Sequence, residues 1–106
     1  MVNPQAGEAE LVVNGTPYAL KLTLGALAEL EQLLGEDTLI ALVQRFEQGR
    51  FSARDVLALL AAGLRGGGHD LSREALAAGS IEGGPMQAAR VAAELLTRSF
   101  TPPQTP

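Results

Sequence analysis

Residues 49–68, GRFSARDVLALLAAGLRGGG, restrict the possible folds of this chain more than any other stretch. Ser52 can accept a hydrogen bond as an N-cap, and Asp55 three residues later completes a capping box, which predicts a helix start. Apolar residues then recur at helical spacing, at Val56, Leu57, Leu60 and Leu64. The glycines at 66–68 tolerate positive φ and predict a flexible helix end. A chain of 106 residues supports one domain, so we expect this helix near the centre of its core.

A β-hairpin is predicted at residues 8–23, ahead of this helix. Asn14-Gly15 is the strongest short signal for a tight hairpin turn, and the residues on either side alternate between apolar and polar. With a two-residue loop, the facing pairs are Val13 with Thr16, Leu11 with Tyr18, and Ala9 with Leu20. A four-residue loop shifts this pairing but leaves the same residues on the same two faces. Pro17 lacks an amide hydrogen, so we expect its edge of the hairpin to discourage a third strand.

Four further helices follow from cap residues and apolar spacing. Thr23, Thr38 and Ser72 are the predicted N-caps, and Pro85 suits the first turn of the last helix. The five predicted helices span residues 24–34, 38–48, 53–65, 73–78 and 85–99. Hydrophobic residues make up 46% of the chain but aromatic residues only 4%, so the core must consist of Leu, Val and Ala, which favours packed helices.

The predicted fold class is α+β, with an N-terminal β-hairpin packed on a cluster of four to five α-helices. A lone hairpin is only marginally stable in water, so its apolar face needs this cover. Residues 8–100 are expected to form a single globular domain. Residues 1–7 are a predicted flexible N-terminus, and residues 101–106, TPPQTP, have the composition of a disordered tail.

Charge and composition argue against several classes of partner and site. The formal net charge of −4 gives no counterion-release binding to nucleic acid and disfavours an anionic membrane surface. Apolar runs stay well short of the ~18 residues of a membrane span. The chain has no cysteine, which excludes disulfides and thiolate catalysis. Residues 1–10 lack the basic and apolar regions of a signal peptide, so we expect a cytoplasmic location.

His69 is the one histidine of the chain and lies beside Asp70, so a Ser–His–Asp site would have to recruit Ser72 or Ser52. We interpret His69 instead as a loop residue after a glycine run, and Asp70 and Ser72 as a helix start. The glycine run lacks the Lys-Ser/Thr of a phosphate loop and follows a helix rather than preceding one. With one histidine and no cysteine, the chain has no zinc-binding spacing. We therefore predict no catalytic residues, no metal and no cofactor, and hence no enzymatic activity.

Several apolar residues fall beside the main helical stripes, and the candidates among them for a partner surface are Leu33, Ile40, Leu59 and Leu95. Helices with two apolar flanks are either buried centrally or carry a protein-binding surface, and the sequence is compatible with both. If a partner groove exists, we expect it beside the predicted helix 53–65 rather than at the glycines.

Three blocks of sequence resemble, in their order along the chain, those of a known protein family. They are KLTLGALAELE at residues 21–31, FSARDV at 51–56 with LRGGG at 64–68, and an Ala-rich last helix. In this order they resemble a family of small proteins encoded in the tail clusters of siphophage-like elements and of gene transfer agents of alphaproteobacteria. The resemblance covers residues 6–100.

Members of this family are described as tail assembly chaperones or, under some labels, as tail tube proteins. A chaperone would bind the long helical tape-measure protein and keep it soluble while tube subunits polymerise around it. The resemblance implies tape-measure and other tail proteins as partners, action in the cytoplasm of the producing bacterium, and no catalytic motif. Under the alternative, the chain is a structural tail tube or connector component of the virion. A single hairpin suits the chaperone better, since a tube subunit needs a β-rich barrel or sandwich. The sequence is also compatible with a homo-oligomer and with a frameshifted longer product.

Overall fold

Two antiparallel strands are followed by five α-helices in the computed structural model, which describes residues 2–35 and 38–100. The elements are β1 (Ala9–Val13), β2 (Thr16–Leu20), α1 (Leu24–Leu34), α2 (Leu39–Glu47), α3 (Ala53–Gly66), α4 (Arg73–Ala78) and α5 (Gly84–Phe100). The predicted α+β class, a hairpin packed on a cluster of helices, is confirmed. The segment predicted to be a flexible lead-in contains a short 3-10 helix, Pro4–Ala6, that lies against α5. The predicted tail at 101–106 lies outside the described residues.

The hairpin turns through Asn14 and Gly15, whose φ angles of 52° and 80° are those of a tight two-residue loop. Of the two registers that the sequence left open, the structure has that of the two-residue loop, which pairs Val13 with Thr16, Leu11 with Tyr18, and Ala9 with Leu20. One face of the hairpin is buried against the helices through Ala9, Leu11, Val13 and Leu20. The Asn14 side chain also accepts a hydrogen bond from the Ser80 amide at 2.9 Å, which ties the turn to a distant segment of the chain.

Helix α3 is the centre of the core, as predicted, because it packs against α1, α4, α5 and β2. Residues 58–64 are all buried, so both flanks of the helix are covered. Its start is the predicted capping box: the Ser52 hydroxyl accepts from the Asp55 amide at 3.1 Å, and the Asp55 carboxylate accepts from the Ser52 amide at 2.9 Å. The predicted N-caps Thr23, Thr38 and Ser72 accept from their own helices in the same way.

The glycines at the end of α3 are a packing surface and not a flexible end. Gly66 is still helical, and a Cβ atom there would overlap the carbonyl oxygen of Lys21. A Cβ atom on Gly67 would overlap the carbonyl oxygen of Ala19 in the same way. The positive φ that the sequence indicated for this helix end lies at Gly68, with a value of 84°. The glycines are therefore required because β2 and the residue that follows it press directly on the helix backbone.

Both edges of the hairpin are in contact with other parts of the chain. On the outer side of β1, the Asn14 amide donates to the Ser80 carbonyl at 2.8 Å, and the Glu82 amide donates to the Val12 carbonyl at 3.1 Å. Beside β2, the Lys21 amide donates to the Gly63 carbonyl at 3.0 Å. Within the described residues the sheet has two strands, and no further strand pairs with the β2 edge that carries Pro17.

Candidate functional site

An open groove of about 560 Å³ lies between α3, α4 and α5. Every side chain that lines it is apolar, and the lining consists of Phe51, Ala53, Val56, Leu57, Leu60, Leu76, Ala77, Ile81, Pro85, Met86, Ala88 and Ala89. A groove of this chemistry offers no charged or hydrogen-bonding side chain to a substrate. It can bind apolar surface from a partner, because burial of apolar area is the interaction that it provides.

The groove has a buried floor and an exposed rim. Leu60, Leu76 and Ala88 form the floor and are nearly inaccessible to solvent. At the rim, the Met86 side chain is 77% exposed, and Ala53 is exposed on the facing helix. Met86 is continuous with the apolar lining of the groove, so its exposed side chain extends that apolar surface to the rim. The exposed apolar rim is typical of a protein-binding surface.

The N-terminal end of α3, which forms one wall of the groove, is held by an ion pair from α2. Arg45 donates from Nε to the Asp55 carboxylate at 3.0 Å and from Nη2 at 2.9 Å, a bidentate arrangement. Beside this pair, the rings of Phe46 and Phe51 stack with centroids 4.6 Å apart and an interplanar angle of 7°. Helix α2 therefore positions Phe51, which lines the groove, although α2 itself lies outside it.

Asp55 is the one buried carboxylate among the described residues, with 7% of its surface exposed. Burial alone would raise its pKa, but the hydrogen bonds from Arg45 and from the Ser52 amide, together with the charge of Arg45, outweigh burial. The pKa of Asp55 is consequently below its ordinary value of 3.8. The carboxylate is ionised at neutral pH, and the ion pair that supports this wall stays intact.

The other end of the groove depends on the segment between α4 and α5. Ile81 forms an isolated antiparallel bridge with Val13, so β1 places this residue against the helices. Two glycines with positive φ, Gly83 at 86° and Gly84 at 73°, then turn the chain into α5. The predicted helices 73–78 and 85–99 left residues 79–84 without an assigned structure, so the contribution of Ile81 was not predicted. The available signal was one apolar residue between glycines, which does not specify a bridge to a distant strand.

The four residues predicted to form a partner surface do not line this groove. Leu59 and Leu95 are fully buried, so their assignment to a surface was wrong: α3 and α5 are each covered on both apolar flanks. Leu33 is half-buried and borders a smaller depression beside Arg65. Ile40 is 71% exposed on α2 and has the accessibility that a contact residue needs.

The residues considered for catalysis each make a structural contact instead. The Nε2 atom of His69 lies 3.0 Å from the Ala19 carbonyl oxygen, to which it donates, and the ring packs edge-on against Tyr18 at 5.0 Å. Ser52 and Ser72 cap α3 and α4. In the part of the chain that the structure describes, no group of three or more His, Asp or Glu residues could hold a metal ion. None of the helices in the described ranges has both the length and the hydropathy that crossing a bilayer requires.

A family model described as phage tail tube protein, GTA-gp10, matches residues 6–101, which is nearly the whole chain. No curated protein and no solved structure matches the chain significantly.

Proposed function

Because the chain belongs to the phage tail tube protein, GTA-gp10 family, we propose that it is a non-enzymatic tail assembly factor. In this role it is a tail assembly chaperone, which binds the tape-measure protein during tail morphogenesis in the cytoplasm of the producing bacterium and then leaves. The observation that carries the proposal is the apolar groove between α3, α4 and α5.

The groove suits a helical partner. An amphipathic helix binds such a surface by laying residues at i, i+3 or i+4, and i+7 into it. The tape-measure protein implied by the family is long and helical, and its apolar stripes would otherwise be exposed before the tube forms around them. Because the groove walls carry only apolar side chains, the contact would be non-directional. Contacts of this kind can form at successive stripes of a long helix and can be displaced by tube subunits.

The hairpin supplies a second argument, against a role as a ring-forming tube subunit. A subunit that joins its neighbours through strands must offer a strand edge. The Val12 carbonyl and the Asn14 amide, at the turn end of the outer β1 edge, are bonded to residues 80–82, and Lys21, which follows β2, is bonded to Gly63 of α3. In this conformation the turn end of the β1 edge is occupied by the chain itself, and Pro17 removes a donor from the other strand.

Co-expression with the tape-measure protein of the same tail gene cluster tests the proposal. The double variant Ala53→Asp/Met86→Asp places two charges on the groove rim. Both sites lie in the first turn of a helix, where a carboxylate favours the helix dipole, so the fold is expected to survive. The control, Leu24→Asp/Gly25→Asp, adds the same charge at two exposed first-turn sites of α1 outside the groove.

We expect the tape-measure protein to be soluble and to co-purify with the wild-type chain and with the control variant. The groove variant should lose co-purification while keeping the wild-type circular dichroism spectrum and midpoint of unfolding. Retention of the tape-measure protein by the groove variant would exclude the groove as its binding site. Failure of the wild-type chain to co-purify would contradict the chaperone role itself.

The alternative function, a structural tail tube or connector component, is favoured by the description of the family model. Mass spectrometry of purified particles separates the two functions. A chaperone is expected to be absent from purified particles, or present at far less than one copy per tail-tube ring. Copy numbers that are multiples of the ring symmetry would support the structural role and would contradict ours.

A further inference from the structure

We propose that α2 is a latch on the groove: it opens from the rest of the fold as a unit, and its docked position fixes the groove wall at Phe51. Groove occupancy and α2 docking then favour each other, because coupling between two binding equilibria is reciprocal. The latch goes beyond the proposed function, since it holds for any partner that contacts the wall at Phe51.

Helix α2 is attached to the fold through little buried surface. Leu42 is the one buried residue of this helix, all of which the structure describes, whereas residues 58–64 of α3 are all buried. The elements that pack along α3 are α1, α4, α5 and β2, and α2 is not among them. An element with few buried apolar contacts opens at a lower free energy than the rest of the core. We therefore expect α2 to open before the protein unfolds.

The contacts that fix α2 to the start of α3 come from side chains in its last turn. Arg45 donates to the Asp55 carboxylate from Nε at 3.0 Å and from Nη2 at 2.9 Å, and the Phe46 ring stacks on Phe51 at 4.6 Å. Asp55 also accepts from the Ser52 amide at 2.9 Å, which does not depend on α2. The start of α3 can thus stay folded when α2 leaves, and the same contacts can form again.

Gly49 supplies a pivot between α2 and α3. Its φ is 69°, and a Cβ atom there would have no heavy atom within 4 Å. Hinges in proteins are a few loop residues that absorb a change in φ and ψ, and free space around the backbone allows that change. Gly49 is therefore the residue about which α2 can swing without a collision.

Opening of α2 changes the groove because Phe51 belongs to both contacts. Phe51 lines the groove and is half-buried, and its ring lies nearly parallel to that of Phe46, with an interplanar angle of 7°. When α2 leaves, Phe51 loses the packing on that side, so the groove wall is no longer held in one position. A partner that contacts Phe51 binds the docked state better and shifts α2 toward it.

Hydrogen exchange of the free wild-type chain, measured by mass spectrometry at increasing urea below the unfolding transition, tests the opening. We expect α2 amides to exchange at least about tenfold faster than α3 amides and to depend little on urea, because opening exposes little surface. Leu11→Ala, in the buried hairpin face, should lower the midpoint of unfolding and leave α2 exchange unchanged. Exchange of α2 at the α3 rate, or its acceleration by Leu11→Ala, would show that α2 opens only when the protein unfolds and would overturn the latch.

Arg45→Leu tests the ion pair as part of the latch. The substitution removes a charge-assisted contact that exists only while α2 is docked, so α2 exchange should rise by about tenfold. The matched control is Arg65→Leu, which removes the 3.1 Å pair between Arg65 and Glu29 and involves α3 and α1 instead. The control should leave α2 exchange unchanged. An equal effect of the two substitutions, or none from Arg45→Leu, would contradict the role of this contact in the latch.

The coupling to the groove is tested from the groove side. Phe51→Ala and Phe46→Ala should each speed α2 exchange severalfold, and the double variant by less than the product, because both changes remove the same stack. Met86→Ala, which truncates a groove side chain on α5, should leave α2 exchange unchanged. Unchanged α2 exchange in Phe51→Ala would overturn the coupling.

A complex with the tape-measure protein gives a further readout of the coupling. In that complex α2 exchange should slow, and unchanged exchange would contradict the coupling. Failure to form the complex would contradict the proposed function, while the exchange rates of the free chain and its variants still decide the latch.

Discussion

Gly66→Ala is the substitution that most sharply tests how the hairpin sits on α3. Alanine is the better helix former, by about 1 kcal/mol, so propensity alone predicts a more stable protein. The structure predicts the opposite, because the new Cβ atom would fall well inside 3.0 Å of the Lys21 carbonyl oxygen. That neighbour is backbone, which cannot rotate away as a flexible side chain would.

The expected loss can be worked out from the contacts near the site. To relieve the overlap, β2 and Lys21 must move away from α3, which breaks the 3.0 Å bond between the Lys21 amide and the Gly63 carbonyl and the 3.0 Å contact between His69 and Ala19. Each contributes about 1 kcal/mol. Overpacking of a close contact adds about 1–3 kcal/mol. After subtraction of the propensity gain, we expect Gly66→Ala to lower the free energy of unfolding by about 2–4 kcal/mol.

Urea unfolding followed by circular dichroism measures this change, and Gly25→Ala is its control. Gly25 is also helical, but a Cβ there has only the Thr23 hydroxyl within reach, at 4.0 Å. Gly25→Ala should therefore raise the free energy of unfolding by up to about 1 kcal/mol. If Gly66→Ala stabilises the protein as Gly25→Ala does, β2 does not press on α3 and the account of this contact is wrong.

Two further changes test the core and the support of the groove. Leu60→Ala should lower the free energy of unfolding by about 2–5 kcal/mol, because Leu60 is 2% exposed. A loss well below 1 kcal/mol, measured by urea unfolding, would mean that the face of α3 that carries Leu60 is not in the core. The pKa of Asp55 is lowered in the fold, so the stability that ionised Asp55 adds to the folded state is complete above the ordinary value of 3.8 and is lost as pH falls through the lower folded value. Asp55→Asn should therefore flatten the fall in stability below about pH 4, and an unchanged profile would contradict the role of the Arg45 ion pair.

The parts of the fold that were predictable from sequence depend on local chemistry. Asn14-Gly15 sets the register of the hairpin because few other residues adopt the φ angles of that turn. Thr23, Ser52 and Ser72 mark helix starts because each side chain bonds an amide three residues later. These interactions span a few residues, so a sequence pattern contains all the information that they need.

The parts that were not predictable depend on how distant elements pack. Leu59 and Leu95 looked like surplus apolar residues, yet α3 and α5 are covered on both sides, and the residues lie in the core. The glycine at 66 was assigned to a flexible end because its contact with Lys21 joins residues far apart in sequence. The groove is assembled from three helices and from Ile81, which β1 holds in place. No periodicity within one helix reports such a surface.

We propose above that the groove between α3, α4 and α5 contacts the tape-measure protein during tail assembly. A photo-crosslinking amino acid placed at Met86, on the groove rim, tests this directly in cells that produce the particle. The matched position is Leu24, which is 84% exposed and lies outside the groove. We predict a crosslinked product with the tape-measure protein from position 86 and none from position 24. Crosslinks from position 86 only to tube subunits, or equal crosslinking from both positions, would contradict the account.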